Sequence, residues 1–278
     1  MSEEITAEFS TEELTQAPAE LRVRPKISLA CKTDLGRVRE NNEDKFEFYI
    51  PEDDYRLATR GAVFVVCDGM GGHAAGQIAS ELSCKTFIDV YMNHTAPEIE
   101  KAARAAIEAA NRYILDMSRQ IPSRSGMGTT LSALVICQDR GTIAHVGDSR
   151  IYRLRHGVLE QLTEDHTLVN EQIKAGLLSP EQAMWHPYSH VLSRAIGVEE
   201  NIEPQIETFD LEENDIYLLC TDGLTNHVPD EEIRNILANH SLSEAAWRLV
   251  NSALTEGGRD NCTVLIVRVD ELTEVGKG

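Results

Sequence analysis

The stretch AVFVVCDGMGGHAAG, from Ala62 to Gly76, decides the fold of this chain. Its first six residues, 62 to 67, are all apolar, and the run ends abruptly at Asp68. A glycine-rich turn follows, and an amphipathic pattern begins near Gln77. A short unbroken apolar run that ends at a turn is typical of a strand buried on both faces. The stretch therefore predicts a buried strand with an acidic side chain at its C-terminal end.

Further strand-like runs lie on both sides of this stretch, and short turns join several of them. They are KISLACK (26–32), KFEFYI (45–50), LSALVIC, TIAHVG and RIYRLR within residues 129–155, DIYLLCT (215–221) and CTVLIVRV (262–269). Short connections of this kind favour antiparallel hairpins. Strands that are apolar on both faces must also be covered on both faces.

Helical patterns occur in pairs along the sequence, and such helices can cover the outer faces of the strands. Two helical faces are formed by Ile78, Leu82, Ile88 and Tyr91, and by Ala103, Ile107, Ala110, Ile114 and Met117. Another helix is expected after Pro229, and a further one from Ser241, with Glu244 three residues on. The sequence therefore predicts an α+β fold, in which two packed antiparallel β-sheets are flanked by pairs of α-helices as a four-layer α-β-β-α sandwich.

Residues 165–200 differ from the rest, because they are less apolar, helical and rich in turns. Asp165 is expected to cap a helix that ends at Gly176. The sequence SPEQ at 179–182 is typical of a capping box with proline at the first helical position. We interpret this segment as an inserted helical flap.

The chain has 278 residues, of which 42% are hydrophobic, so it can bury a sizeable core within one domain. Residues 1–21 contain six Glu and neither Lys nor Arg. We expect residues 1–26 to form an acidic, disordered tail and residues 27–270 to form the domain. Residues 271–278 would form a short C-terminal tail.

The formal net charge of -20 argues against nucleic acid or an anionic membrane as the main partner. Proteins that bind such surfaces need clustered Lys and Arg. The first residues lack the basic and apolar regions of a signal peptide, and no apolar run approaches the roughly 18 residues of a membrane span. We therefore expect a soluble, cytoplasmic protein. We also expect it to be a monomer.

The six cysteines show neither a CxxC motif nor a histidine partner at zinc-finger spacing. They are Cys31, Cys67, Cys84, Cys137, Cys220 and Cys262, and four of them lie in or beside apolar runs. We interpret them as reduced thiols that pack as small hydrophobic residues, rather than as disulfides or metal ligands.

Four aspartates lie at the ends of apolar strands, each beside a glycine or another turn former. They are Asp68, Asp148, Asp222 and Asp260. Each one alone is explained by a turn, because Asp and Gly commonly end a strand. If all four converge on one rim, their charges repel unless cations neutralise them, and oxygen ligands favour Mg²⁺ or Mn²⁺ over Zn²⁺. Two such ions could activate a water and clamp a phosphoryl group.

Six short motifs give the sequence a resemblance to a known family. They are RxxNED at 39–44, DGMGG at 68–72, GTT at 128–130, GDSR at 147–150, TDGL at 221–224 and GGRDNCT at 257–263. In this order and spacing they resemble the metal-dependent type 2C (PPM) Ser/Thr protein phosphatases, especially the compact bacterial members. The resemblance extends roughly from Ile27 to Val269.

The resemblance implies a core site with two ions, Mn²⁺ or Mg²⁺, and a role for each aspartate. Asp68 would bridge the two ions, and the backbone carbonyl of Gly69 would ligate one of them. Asp222 and Asp260 would bind the other ion. Asp148 matches the residue that helps to hold a third, weaker ion in bacterial members.

The resemblance also implies roles for residues around the ions. Glu43 and Asp44 would hold waters bound to the ions. Arg39 would bind the substrate phosphate, for which a guanidinium fork is well suited. His73 matches the candidate general acid that protonates the leaving oxygen, and capping or packing at the helix start is its alternative role. We interpret the other nearby histidines as packing or surface residues, namely His145, His166, His186 and His190.

The implied reaction is hydrolysis of phosphoserine or phosphothreonine on proteins by a single in-line displacement. A water bridging the two ions would lose its proton and attack phosphorus, so no covalent phosphoenzyme is needed. The implied partners are phosphorylated proteins and a cognate Ser/Thr protein kinase, as in signalling pairs. The sequence does not separate a general phosphatase from one dedicated to a single regulatory phosphoserine.

Two interpretations from other classes stay open. Gly69-x-Gly71-x-x-Ala74 lies between a strand and a helix and formally satisfies a dinucleotide-binding fingerprint. However, Asp89, at the distance of the ribose ligand, falls within the helical pattern. A non-catalytic phosphoprotein-binding module on the same fold would lack one or more metal-binding acids, and all of them are present here.

Overall fold

Two antiparallel β-sheets pack face to face in the computed structural model, which describes residues 20–72, 74–183 and 186–276. The strands are β1 (Val23–Asp34), β2 (Asp44–Tyr49), β3 (Ala62–Met70), β4 (Gly128–Thr129), β5 (Leu131–Cys137), β6 (Arg140–Val146), β7 (Arg150–Arg155), β8 (Val158–Gln161), β9 (Gln205–Asp210), β10 (Ile216–Cys220) and β11 (Cys262–Glu274). The helices are α1 (Asp54–Thr59), α2 (Ala74–Asn93), α3 (Ile99–Gln120), α4 (Leu168–Lys174), α5 (Pro180–Ala183), α6 (Asp222–Thr225), α7 (Asp230–Asn239) and α8 (Leu242–Thr255). One sheet has the order β1-β11-β10-β7-β8, and the other has the order β2-β3-β5-β6-β9, with β4 beside β3.

Three hydrophobic layers hold the sheets and helices together. Between the sheets, Phe64 of β3 shares a cluster with Tyr217 of β10 and Leu265 of β11. On its outer face, β3 packs with α2 and α3. The outer face of the other sheet packs with α7 and α8. The predicted α+β sandwich of four layers is therefore confirmed.

The β3 strand is buried on both faces, as its unbroken apolar run predicts. Residues 62–67 are all 0% exposed. Val63 and Val65 belong to the cluster under the helices, whereas Phe64 and Val66 belong to the cluster between the sheets. Each such side chain contributes about 1.5–3 kcal/mol on burial. The strand therefore holds Asp68, which lies near its end, in a well-determined place.

The outer strands extend past both domain boundaries that the sequence predicts. β1 starts at Val23 and β11 ends at Glu274, and these two residues are paired. The register shifts between Lys26 and Ile27, so one residue of β11 is left out of the pairing. A bulge of this kind interrupts the alternation of side chains. The two strands thus continue a few residues beyond positions 27 and 270, on the far side of this bulge.

The flap contains two short helices, α4 and α5, and the first begins later than predicted. Thr167, not Asp165, caps α4, and its side chain accepts a hydrogen bond from the Asn170 N–H. Asp165 instead forms an ion pair with Arg150, whose Nη2 lies 2.7 Å from Asp165 Oδ2. The capping box before α5 is confirmed, since the Ser179 and Gln182 side chains each accept from the other's backbone N–H.

The six cysteines are free thiols and five of them are buried, which confirms their interpretation as small hydrophobic residues. Among the helices of the described ranges, none is long and apolar enough to cross a membrane. Residues 1–19 of the predicted acidic tail, and the predicted general acid His73, lie outside the described residues.

Candidate active site

The ends of the central strands bring the predicted acidic residues to one edge of the sandwich. Asp44 of β2 lies opposite Asp68 of β3 in the antiparallel register. In the other sheet, β10 ends just before Asp222, and its antiparallel partner β11 begins just after Asp260. Asp148 lies in the turn between β6 and β7. Antiparallel pairing thus places acids that are far apart in sequence close together in space.

A cleft of about 810 Å³ at this edge gathers most of the predicted site residues. Its walls include Arg39, Glu43, Asp68, Gly69, Asp148, Asp222 and Asp260, together with Thr130 and His190. Asp44 is 2% exposed, and the Thr221 hydroxyl donates a hydrogen bond to its Oδ2 atom at 2.8 Å. Thr221 comes directly before Asp222, so this bond ties the two sheets together behind the cleft.

The GTT motif positions Asp68 through the backbone. The Thr129 hydroxyl donates to the Asp68 carbonyl at 2.8 Å, and the Thr130 N–H donates to the same carbonyl at 2.9 Å. In return, the Asp68 N–H donates to Thr130 Oγ1 at 2.9 Å. Thr130 Oγ1 also lies 2.6 Å from Ser149 Oγ. Because Ser149 follows Asp148, this network connects the strand end at Asp68 with the turn that carries Asp148.

Two motif glycines allow backbone segments to approach each other closely. A Cβ atom on Gly69 would lie 2.1 Å from the carbonyl oxygen of Gly76, and one on Gly223 would lie 1.8 Å from that of Asn261. No side chain fits at such distances without moving the backbone. Gly69 therefore lets the end of β3 lie against the first turn of α2, and Gly223 lets α6 lie against Asn261, directly before β11.

The carboxyl groups of the cleft repel one another. Burial raises the pKa of Asp68 well above its usual range, and the charges of neighbouring aspartates raise it further. Burial also raises the pKa of Asp44 to about 7 and that of Asp148 to about 8. The pKa of Asp222 is raised by burial and then by the charge of Asp260. Simultaneous ionisation of several of these carboxyl groups is therefore unfavourable unless cations bind in the cleft.

Divalent cations fit this donor set. The Oδ1 atoms of Asp44 and Asp222 are buried and have no hydrogen-bond partner among the described residues. Besides burial, the charge of Asp222 raises the pKa of Asp68, so these two carboxyl groups lie close enough to repel each other. Oxygen ligands of this kind select hard ions such as Mg²⁺ and Mn²⁺. Within the described ranges, no group of three or more Asp, Glu, His or Cys side chains is preformed with the spacing of a metal-binding cluster.

Arg39 pairs with one of the candidate ligands. Its Nη2 atom lies 2.6 Å from Asp260 Oδ2, with 51% and 32% of the two side chains exposed. This hydrogen bond is the largest contribution that raises the pKa of Arg39. An ion pair this open to solvent is worth about 1 kcal/mol or less. A cation on Asp260 would therefore free Arg39 for another anion at little cost.

Asn261 is a site residue that the sequence reasoning missed. It is 4% exposed, and its Oδ1 atom accepts the Glu43 N–H at 2.8 Å. Its Nδ2 group donates to the carbonyls of Leu35 and Asn41 at 2.9 and 3.0 Å. Asn261 thus clamps the loop 35–43 onto the start of β11. The available signal was a polar side chain at the start of an apolar strand.

Replacing Asn261 by alanine is expected to lower the free energy of unfolding by about 2–4 kcal/mol. The variant loses three hydrogen bonds from a buried side chain, each worth about 0.5–1.5 kcal/mol. Chemical denaturation measures the change. Asn251→Ala, at an exposed position on α8, is the matched control. Equal stability of the two variants would contradict the clamp.

A buried histidine pair supports the turn before Asp148. The rings of His145 and His166 stack with their centroids 4.9 Å apart, and His166 Nδ1 accepts the Gly147 N–H at 3.1 Å. Burial lowers the pKa of His145 to about 4 and that of His166 to about 3, so both are neutral at pH 7. Their predicted packing role is in line with this. His190 in contrast lines the cleft, which the sequence did not indicate.

The surroundings of α2 remove the dinucleotide-binding alternative. β3 pairs antiparallel with both β2 and β5, and α2 leads into α3 rather than into a parallel strand. The fingerprint requires a βαβ unit with parallel strands. Asp89, the candidate ribose ligand, lies within α2. The glycine-rich turn therefore belongs to the acidic cleft.

Comparison with known proteins identifies relatives over most of the chain. The family described as Protein phosphatase 2C matches residues 37–257. The serine/threonine phosphatase stp of Listeria monocytogenes serovar 1/2a is 41% identical over 251 residues, which cover 88% of this chain and 97% of that protein. The family match includes five of the six motifs in full, and of GGRDNCT it includes Gly257 alone.

Solved structures share the architecture as well. The S. agalactiae serine/threonine phosphatase has a TM-score of 0.80 at 35% identity, covering 88% of this chain and 100% of that one. The catalytic domain of the serine/threonine protein phosphatase PstP, solved in complex with 2 manganese ions, has a TM-score of 0.76 at 35% identity, covering 88% of this chain and 99% of that one. A chain that shares this much sequence and architecture with them belongs to the type 2C (PPM) family of Ser/Thr protein phosphatases.

Proposed function

We propose that this chain hydrolyses phosphoserine and phosphothreonine on proteins, with two divalent cations in the acidic cleft. The observation that carries the proposal is the convergence of Asp68, Asp222 and Asp260 on one cleft with Arg39. These carboxylates would repel a phosphate monoester in the absence of cations. Binding of cations and binding of the phosphorylated substrate therefore belong together in this cleft.

The proposed ligands of the two ions, Mn²⁺ or Mg²⁺, are Asp68, the carbonyl of Gly69, Asp222 and Asp260. When bound, the ions would lower the pKa of a water between them and offset the charge on the phosphoryl oxygens. Glu43 and Asp44 would orient waters around the ions, because outer carboxylates fix the geometry of a metal site. Asp148, on the wall of the same cleft, would help to hold a third ion.

Arg39 would bind the phosphoryl oxygens of the substrate. Its guanidinium lies on the cleft wall and is half exposed, so it can reach an incoming phosphate. A guanidinium fork matches phosphate oxygens in a bidentate manner. His73 remains the proposed proton donor to the leaving serine or threonine oxygen. It follows Gly72, which lies on the cleft wall.

A covalent route through cysteine finds no support in the described chain. Cys31 and Cys262 each precede an arginine by six positions, the spacing of a cysteine phosphatase loop. However, both cysteines lie within strands, β1 and β11, instead of a phosphate-binding loop. Burial raises the pKa of both thiols, which disfavours the nucleophilic thiolate. A direct attack by water is the simpler mechanism.

Arg39→Ala is expected to raise KM for a phosphothreonine peptide about 10-fold to 100-fold, because hydrogen bonds to charged groups are worth about 1.5–3 kcal/mol. The kcat value should fall less, since the nucleophile stays in place. Steady-state kinetics in Mn²⁺ separate the two constants. Arg112→Ala, an exposed arginine on α3, is the control. An unchanged KM in Arg39→Ala would contradict phosphate binding by this residue.

The competing proposal, a non-catalytic phosphoprotein-binding module, predicts binding without phosphate release. Measuring inorganic phosphate released from a phosphothreonine peptide in Mn²⁺ tests the two directly. Release at enzymatic rates supports the phosphatase, and tight binding without release would overturn it.

We further propose that the chain acts as a monomer and opposes a Ser/Thr protein kinase. Phosphoproteomics of a strain that lacks the chain would identify its substrates.

A further inference from the structure

A second cavity, of about 580 Å³, is lined by positively charged side chains. We call it the arginine groove and define it by Arg22, Arg56, Arg60, Arg140 and His94. Among the described residues that line it, Asp139 is the one acid. The whole chain has a formal net charge of -20, so a cavity with this composition concentrates positive charge where the average surface is negative.

The arginine groove is remote from the catalytic cleft. Its lining includes Arg60, two residues before β3 begins, and Cys137 at the end of β5. The cleft lies at the other end of β3, at Asp68. Asp68 lies six residue steps along β3 from Ala62, which corresponds to about 20 Å. The two sites therefore cannot share one small ligand.

Two arginines of the groove have no ion-pair partner within the described chain. Arg60 is 7% exposed, and its guanidinium donates to the backbone carbonyls of His94 and Ala96, the latter at 2.7 Å. Arg22 is exposed and has no carboxylate within salt-bridge distance among the described residues. Arg60 also donates to the Thr59 carbonyl at 3.3 Å and lies over the Tyr91 ring at 6.0 Å, so among the described residues dipoles and a ring, rather than a carboxylate, meet its charge. An anionic ligand in the groove would be stabilised by it.

The chain enters the fold at the rim of this groove. Leu21 packs with Leu57 and Ala58, and the Arg22 N–H donates to Gln138 Oε1 at 3.0 Å. Ala58 and Gln138 both line the groove. The first described residues therefore lie at the groove, whereas the catalytic cleft lies at the far end of β3.

Residues 1–19 carry the negative charge that would complement the arginine groove. They contain five Glu and neither Lys nor Arg. The 251 residues aligned with the Listeria relative cover 97% of that protein but 88% of this chain, so this chain carries residues without a counterpart there. We propose that residues 1–19 dock in the arginine groove of their own chain as an acidic peptide ligand. Attachment at the rim gives such a segment a high effective concentration, so weak contacts suffice.

The test uses the full chain and a glutamate-specific endoprotease at low ionic strength. Mass spectrometry follows the rate of cleavage after Glu12 and Glu13. We expect cleavage to be at least about fivefold slower in the native chain than in an Arg22→Gln/Arg56→Gln variant, which adds no glutamate, because proteolysis tracks the undocked population. The two rates should converge at about 1 M salt, where charges are screened within about 3 Å.

Arg112→Gln/Arg119→Gln on α3 is the matched control and should keep the slow cleavage. Phosphate release should be unchanged in the groove variant, so this test is independent of the proposed catalytic function. Equal cleavage rates in the native chain and the groove variant at low salt would overturn the proposal. Protection that grows with protein concentration would also overturn it, because the occupant would then be a second copy of the chain.

Discussion

Asp68→Asn is expected to reduce turnover of a phosphothreonine peptide in Mn²⁺ by about a thousandfold or more. The amide removes the charge of the residue proposed to bridge both ions. The loss of several kcal/mol of charge stabilisation corresponds to about three powers of ten in rate. Asp222→Asn and Asp260→Asn are expected to act in the same direction, because they are the proposed ligands of the second ion.

Stability should change in the opposite direction in the same variant. Without divalent cations, Asp68 is buried among like charges, and its pKa is raised for that reason. Removing one charge relieves repulsion, so the melting temperature of Asp68→Asn in a chelator should exceed that of the native chain. Asp116→Asn, at an exposed position on α3, is the control for both measurements. Near-native turnover in Asp68→Asn would contradict the proposal that this cleft is the catalytic site.

Removing divalent cations from the native chain is expected to abolish phosphate release, and adding Mn²⁺ or Mg²⁺ should restore it. The same addition should raise the melting temperature, because a ligand that binds the folded state alone stabilises it. The rise should be much smaller in Asp68→Asn. Full activity that persists in a chelator would contradict the proposed chemistry.

The cation-free chain should also become less stable as pH rises. The folded pKa of Asp44 is about 7 and that of Asp148 about 8, whereas an unfolded aspartate has a pKa near about 3.9. Between these values the folded state binds more protons than the unfolded state, so the free energy of unfolding decreases with pH. The loss should begin above about pH 4 and be complete above about pH 8. Thermal denaturation across this range, with and without saturating Mn²⁺, measures it, and the slope should flatten when Mn²⁺ is bound.

Local sequence features were enough to predict the layers of this fold. The unbroken apolar run before Asp68 indicated a strand buried on both faces, and the helical periodicities indicated the helices that pack on the sheets. Turn and cap chemistry located α5 and α8 correctly, at Ser179 and Ser241. Such features depend on residues within one or two turns of each other, and for that reason they can be read without the fold.

Features that depend on distant partners were missed or misplaced. Asp165 was expected to cap a helix, but the guanidinium of Arg150 from β7 holds it instead. β9 was not predicted, because its residues are only partly buried and its place is set by pairing with β6. The bulge at Lys26 and Ile27 is likewise visible only in the register of β1 with β11.

The sequence by itself determined which residue types were available for the site: four strand-end aspartates, a loop arginine and the motifs that carry them. Only the tertiary structure decided how they act on each other. It brought Asp44 opposite Asp68, turned Arg39 toward Asp260 and made Asn261 the clamp of the loop 35–43. The physical reason is that antiparallel pairing joins segments more than 200 residues apart, and the repulsion among their charges exists only after they meet.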